Sequence, residues 1–234
     1  MSKHLARDLR EVEGKILAMS SLVEEMIERS IQSLRERKPD LARKVIDADR
    51  EVDEREVQIE EECLKILALH QPVAIDLRRT AAVMKINNDL ERIADLAVNV
   101  AESSLRLEPH RQFQVPSRLH EMVELAKQMV HDALDDFVRL DTVAAGALVA
   151  RDEEVDACSI EVIAELYQVM RTRPELIEPA LHCFSMARHI ERIADHATNI
   201  AEDVIYLVKG DITRHRHLGP LFPRDAAPTT GTVS

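Results

Sequence analysis

The chain has 234 residues, of which 45% are hydrophobic, 3% are aromatic and five are glycine, and its formal net charge is −12. That length suits one large domain or two of about 100 to 150 residues. The negative balance excludes broad nucleic-acid binding, which needs a basic footprint, and unaided docking on anionic lipid, so any membrane proximity has to come through partners.

No run approaches the ~18 apolar residues of a membrane span, and the N-terminus MSKHLARDLREVEG has no apolar signal-peptide core. The three cysteines, Cys63, Cys158 and Cys183, lack any CxxC spacing and are expected as buried thiols of a reducing, cytoplasmic compartment. Leu, Ala, Glu, Arg and Ile dominate, residues that lose little rotamer freedom in a helix.

Six helices are predicted in chain order. The first runs from about His4 to Arg37, with Leu9, Val12, Ile16, Met19, Val23, Met26, Ile27 and Leu34 on its apolar face. Lys38-Pro39-Asp40 breaks it, and Asp40 is expected to cap the second helix, which ends at Gln71-Pro72. The third extends from near Val73 to about Leu107. Pro109 and Pro116 bracket a linker, 109–116. The fourth helix runs from about Ser117 to Leu140, where Asp141-Thr142 is the next break. The fifth continues to Thr172-Arg173-Pro174, and the sixth ends near Lys209-Gly210, with glycine suited to the left-handed position after a helix. Residues 211–234, rich in Pro, Gly, Thr and Arg, read as a disordered tail.

The halves repeat. NDLERIADLAVNVAE, 88–102, returns as RHIERIADHATNIAE, 188–202, with nine of fifteen positions identical. Asp49-x-x-Val52-Asp53 returns as Asp152-x-x-Val155-Asp156, offset by 103. The chain is therefore expected to be all-α, two tandem pseudo-symmetric antiparallel three-helix bundles, residues 1–108 and 117–210. Helices of this length make elongated rods.

The repeated strings carry oxygen donors. At ~100° per residue, Glu91, Asp95, Asn99 and Glu102 fall within roughly 80° of one another, bordering the apolar face. Glu191, Asp195, Asn199 and Glu202 repeat the pattern. Asp49, Asp53, Glu56 and Glu60 form a similar stripe on the second helix, whereas on the fifth only Asp152 and Asp156 persist, position 163 being Ile. Antiparallel packing would set Asp49/Asp53 against either Asn99/Glu102 or Glu91/Asp95, and the sequence leaves that register open.

Like charges at i,i+4 destabilise a helix by a few tenths of a kcal/mol per pair. A solvated acidic face is the plainer reading of one DxxxD. Duplicated core-bordering stripes point instead to hard cations, for which carboxylate and carboxamide oxygens are suited ligands.

No Glu-x-x-His pair, HExxH, GxxxxGK[ST] or GxGxxG occurs, and an enzyme is not expected. His189 and His196 flank the second stripe, where the first has Asp89 and Leu96. They are read as surface or supporting histidines.

These strings, with EEECLKILALHQPVAIDLRRTAAVMKI, resemble the PhoU family of phosphate-transport accessory proteins over nearly all of residues 1–210. The usual family string has Gly where this chain has Ala94 and Ala194, a methyl that favours helix and leaves the carboxylates in place.

The resemblance implies multinuclear metal clusters on Asp49/Asp53 with Glu91/Asp95 and on Asp152/Asp156 with Glu191/Asp195; Asn99, Glu102, Asn199 and Glu202 are weaker additions. The ions would be divalent or trivalent: Fe, Mn, Mg, Ca or Zn. It also implies a negative regulator of the phosphate-starvation response that couples a phosphate ABC transporter, through its ATPase subunit, to a membrane sensor histidine kinase, as a homodimer. Two alternatives are a carboxylate-cluster enzyme or metal store on a helical bundle, and a metal-free helical adaptor.

Overall fold

In the computed structural model, which describes residues 3–210, the breaks fall where proline, aspartate and glycine stand. α1 is Lys3–Glu36, α2 Pro39–His70, α3 Ala74–Leu107, α4 Ser117–Arg139, α5 Thr142–Thr172 and α6 Ile177–Lys209. No strand occurs among the described residues, and the expected disordered tail, 211–234, lies outside them. A 34-residue helix such as α1 or α3 is about 51 Å long.

Each break has a local cause. Pro39 occupies the first turn of α2, where its missing N–H costs nothing. Asp40 is not the cap: Lys38 holds that position without a side-chain bond, and Asp40 pairs instead with Arg43 at 2.9 Å. Asp141 does cap α5, accepting from the backbone N–H groups of Val143 and Ala144 at 2.9 and 3.1 Å. Those bonds hold its carboxyl below the usual range. The sequence reading has no counterpart for the 3-10 turn Pro174–Leu176 that precedes α6. Gly210 takes φ 78° after α6 and returns its N–H to Tyr206 O at 2.8 Å.

α3 and α6 lie side by side, antiparallel, at the centre. Arg78 donates to Leu207 O at 3.2 Å, Lys85 meets Asp203 at 2.9 Å, and Asp89 meets His196 at 2.8 Å, so rising numbers on α3 meet falling numbers on α6. α2 packs beside α3 and α5 beside α6, while α1 and α4 cover the back of the two pairs. Across that back, Arg35–Glu124, Lys127–Glu28 and His131–Glu24 join α1 to α4.

The result is a front layer in the order α2–α3–α6–α5 and a back layer of α1 and α4. The two rods thus share one core along their length. Leu90, Ile93, Ala94 and Ala97 of α3 and Ile193, Ala194 and Ala197 of α6 are buried in it. Ala94 and Ala194 are both fully buried, so the small side chain at these repeat positions permits close helix contact.

Candidate metal grooves and family membership

Two grooves on the front layer, α2/α3 and α5/α6, carry the acidic stripes. In the first, the hydrogen bond from Asn87 Nδ2 to Glu56 O, 2.9 Å, fixes the antiparallel register. That register sets Asp49 beside Asp95 and Asp53 beside Glu91, resolving the choice the sequence leaves open. Burial pushes the carboxyl of Asp49 up, and so do the charges of Asp53 and Asp95. Burial likewise raises Glu91, with Asp95, Asp53 and Glu56 adding to the effect and Arg92 opposing it. Arg92 approaches Glu91 at 3.4 Å and Asp95 at 3.9 Å, too far to satisfy either fully.

Glu56 belongs to this groove. Its carboxyl is raised by burial, then by Glu60 and Asp53, and Asn87 Nδ2 stands 3.3 Å from its Oε1. Asn87 is 1% exposed, and its Oδ1 has no partner. A period of four places Asn87 below Glu91 on the same stripe, which is the signal by which sequence reading could have found it.

In the second groove, Asp152 and Asp156 of α5 face Glu191 and Asp195 of α6. Burial moves the Asp152 carboxyl up to about 6, with Asp195, Asp156 and Glu191 adding repulsion. Asp156 is raised by burial and by Glu191, and Asp195 by burial, Glu191 and Asp156. Two further groups enter here. Ser159 donates to Glu191 Oε2 at 2.7 Å, and Arg188 Nη1 reaches both Glu191 oxygens at 2.5 and 2.7 Å.

The structure therefore brings together the eight residues Asp49, Asp53, Glu91, Asp95, Asp152, Asp156, Glu191 and Asp195, as two fours. Three of the remaining candidates have other partners. Asn99 bonds back to Asp95 O at 2.8 Å, Glu102 pairs with Arg106 at 3.1 Å, and Asn199 Nδ2 lies 3.4 Å from Asp89 Oδ1 across the α3–α6 seam. Glu202 sits one turn further along α6, half-buried.

The histidines turn to the same seam. His196 Nδ1 pairs with buried Asp89, and the ring of His189 is held below its usual pKa by burial and Arg192, against the opposing charge of Glu102. The Cys63 and Cys183 thiols are pushed up to about 12 by burial, which keeps them protonated at neutral pH.

Chemically the grooves suit hard cations. Each offers anionic oxygens that repel one another, and Asp49, Glu56, Glu91, Asp152, Asp156 and Asp195 hold protons more tightly than free carboxyls do, a cost that a cation would relieve. Among the described residues, no three Asp, Glu, His or Cys side chains converge closely enough to form a ready coordination shell. The donors line the grooves in register, and closing on an ion would take side-chain rotation, for which Asp53, Asp156 and Asp195 are exposed enough.

With that geometry established, the comparisons with known proteins are decisive. The family model described as the PhoU domain matches residues 16–104 and again 119–204, one match per bundle. The chain belongs to the PhoU family. It is 37% identical over 214 residues to the phosphate-specific transport system accessory protein PhoU homolog of Aquifex aeolicus (strain VF5), covering 92% of this chain and 97% of the relative. It is 32% identical to the phosphate-specific transport system accessory protein PhoU of Escherichia coli (strain K12), covering 92% and 91%.

Its fold matches the crystal structure of PhoU from Pseudomonas aeruginosa with a TM-score of 0.85 at 35% identity, covering 88% of this chain and 99% of that one. The match to the phosphate transport system regulatory protein PhoU from Streptococcus pneumoniae has a TM-score of 0.83 at 27% identity, covering 89% and 98%. The double family match accounts for the internal repeat, and the resemblance seen in the sequence is that of a true family member.

Proposed function

We propose that this PhoU-family protein is a cytoplasmic negative regulator of the phosphate-starvation response. It couples a phosphate ABC transporter, contacted through its ATPase subunit, to a membrane sensor histidine kinase, and acts as a homodimer without catalysis of its own. The observation that carries this reading is the match of both bundles to accessory proteins of phosphate-specific transport systems. No described helix is long and apolar enough to cross a membrane, so contact with membrane proteins would run through their exposed parts.

The groove carboxylates would hold divalent or trivalent cations: Asp49, Asp53, Glu91 and Asp95 in the first, Asp152, Asp156, Glu191 and Asp195 in the second. Bound ions would offset part of the repulsion between α2 and α3 and between α5 and α6, leaving the grooves net acidic.

A deletion strain tests the regulatory reading. Loss of the chain is expected to switch on a phosphate-starvation reporter in phosphate-rich medium, and the intact gene to silence it again. A reporter that stays silent in the deletion strain contradicts the proposal.

A further inference from the structure

The front layer carries a second duplication that the acidic motifs do not explain. On α2, Val57 and Leu64 lie beside the acidic stripe on its solvent side, at roughly 60–80° from Asp49. Both are 51% exposed. Their equivalents on α5, offset by 103, are Ile160 and Tyr167, which are 69% and 56% exposed. Leu77 at the start of α3 repeats as exposed Ile177 at the start of α6. All three pairs keep an apolar or aromatic side chain in a position that the fold leaves wet. Arg171 stands over the Tyr167 ring at 5.8 Å, yet all six side chains stay exposed, and exposed apolar clusters mark interaction sites.

The register places these patches. α2 runs antiparallel to α3, so Leu64 comes beside Leu77, and Tyr167 comes likewise beside the first turns of α6. Because α3 and α6 are themselves antiparallel, the two patches fall toward opposite ends of one face. Leu64 and Tyr167 are roughly 35–40 Å apart along the helix axes at ~1.5 Å per residue. The Asp89–His196 pairing brings the two carboxylate groups level with each other, side by side, between the patches. The face thus reads apolar, acidic, apolar, about an internal pseudo-two-fold axis.

We infer that this face docks a two-fold-symmetric protein dimer, each copy of which sets an apolar anchor on one patch and basic side chains toward the acidic centre. Charge selects the occupant. A second copy of this chain would bring eight further carboxylates against these eight, and anionic lipid or nucleic acid would be repelled in the same way. A cationic protein surface is complementary. Symmetry selects the rest: a face that repeats itself about a two-fold axis is matched by two identical partner surfaces. Binding through both patches at once makes the second contact intramolecular, so damage at one patch costs more than its own contacts.

The inference rests on the regulator reading, since it needs a protein partner. The test immobilises the full chain and measures binding of two purified probes, the dimeric ATPase subunit of the phosphate transporter and the dimeric soluble portion of the sensor kinase. Leu64→Glu and Tyr167→Glu, both at half-exposed positions, are each expected to weaken binding of one probe at least tenfold, and the double variant to abolish it. Circular dichroism is expected to be unchanged.

A photo-crosslinking residue at position 64 and, separately, at position 167 is expected to label the same segment of that partner. Labelling of two different segments, labelling of a second copy of this chain, or wild-type affinity in the double variant overturns the docking face and leaves the regulator reading intact. Failure of the unaltered chain to bind either probe overturns both.

Discussion

The first acidic groove collects five carboxylates, Asp49, Asp53, Glu56, Glu91 and Asp95, with the guanidinium of Arg92 at 3.4 Å from Glu91 in partial compensation. The second keeps four. It has Ser159 in the place of Glu56, and Arg188, in the place of Asn88, clamped on Glu191 at 2.5 Å. The duplicated frame of DxxxD against ExxxD is the same in both, yet the charge balance is not. A guanidinium bonded to two oxygens of a would-be ligand is a cation already in residence. If the grooves hold cations as proposed, they would be homologous positions of unequal capacity, the first open to an external ion and the second partly neutralised by Arg188.

The largest expected effect that sharpens this contrast is loss of binding in the first groove. Asp53→Ala with Asp95→Ala is expected to weaken its cation affinity by about 100-fold, or ~2.8 kcal/mol. In calorimetric titration the stronger binding step should vanish while the weaker one persists. Asp156→Ala with Asp195→Ala should do the reverse.

Next in size, a cation supplied at about 100 times its dissociation constant is expected to raise unfolding stability by ~2.7 kcal/mol in chemical denaturation. Most of that gain should disappear in the first-groove double variant. Removing the resident guanidinium, Arg188→Gln, is expected to tighten the second groove by about tenfold, ~1.4 kcal/mol. Asn88→Arg should weaken the first by a similar factor, and if neither exchange moves the titration, the account of the asymmetry fails.

Acidity separates the grooves in another way. Asp152 titrates at about 6 in the folded chain, raised from an ordinary value of 3.8. The folded state then holds a proton that the unfolded chain has released, so this contribution is complete below pH 4 and is lost as pH rises through 4 to 6. Metal-free protein is expected to become less stable across that window at the second groove, and Asp152→Asn to flatten the slope in urea unfolding curves recorded at several pH values. The smallest effect is expected from Asp53→Asn without metal. It removes one i,i+4 repulsion and should stabilise by only a few tenths of a kcal/mol.

The helical frame was legible because proline, aspartate and glycine mark each break, and because the 100- and 103-residue offsets tie the halves together. Asp40 does not cap α2 because Pro39 sets the helix start two residues earlier than a capping aspartate would need. The helical wheel set the eight facing carboxylates on acidic stripes and the family resemblance paired them as two fours, but the wheel left their register open. That depended on Asn87 reaching Glu56 O, a contact between residues 31 positions apart.

Asn99, Glu102 and Asn199 share the stripe by angle and yet bond to other groups. A straight helix carries one face past more than one neighbour, and Asn199 meets Asp89 of α3. Arg188 was the hardest to read, because its effect comes from rotating back onto Glu191 three residues along.

The central claim, two homologous cation grooves of unequal strength, is tested most directly by one isothermal titration of Mn²⁺ into metal-free wild-type protein near neutral pH, with ion content checked by elemental analysis. The account predicts two saturable classes of site, the tighter lost in Asp53→Ala/Asp95→Ala and the weaker lost in Asp156→Ala/Asp195→Ala. A wild-type titration with no saturable heat, or with two identical classes that the substitutions do not distinguish, would contradict it.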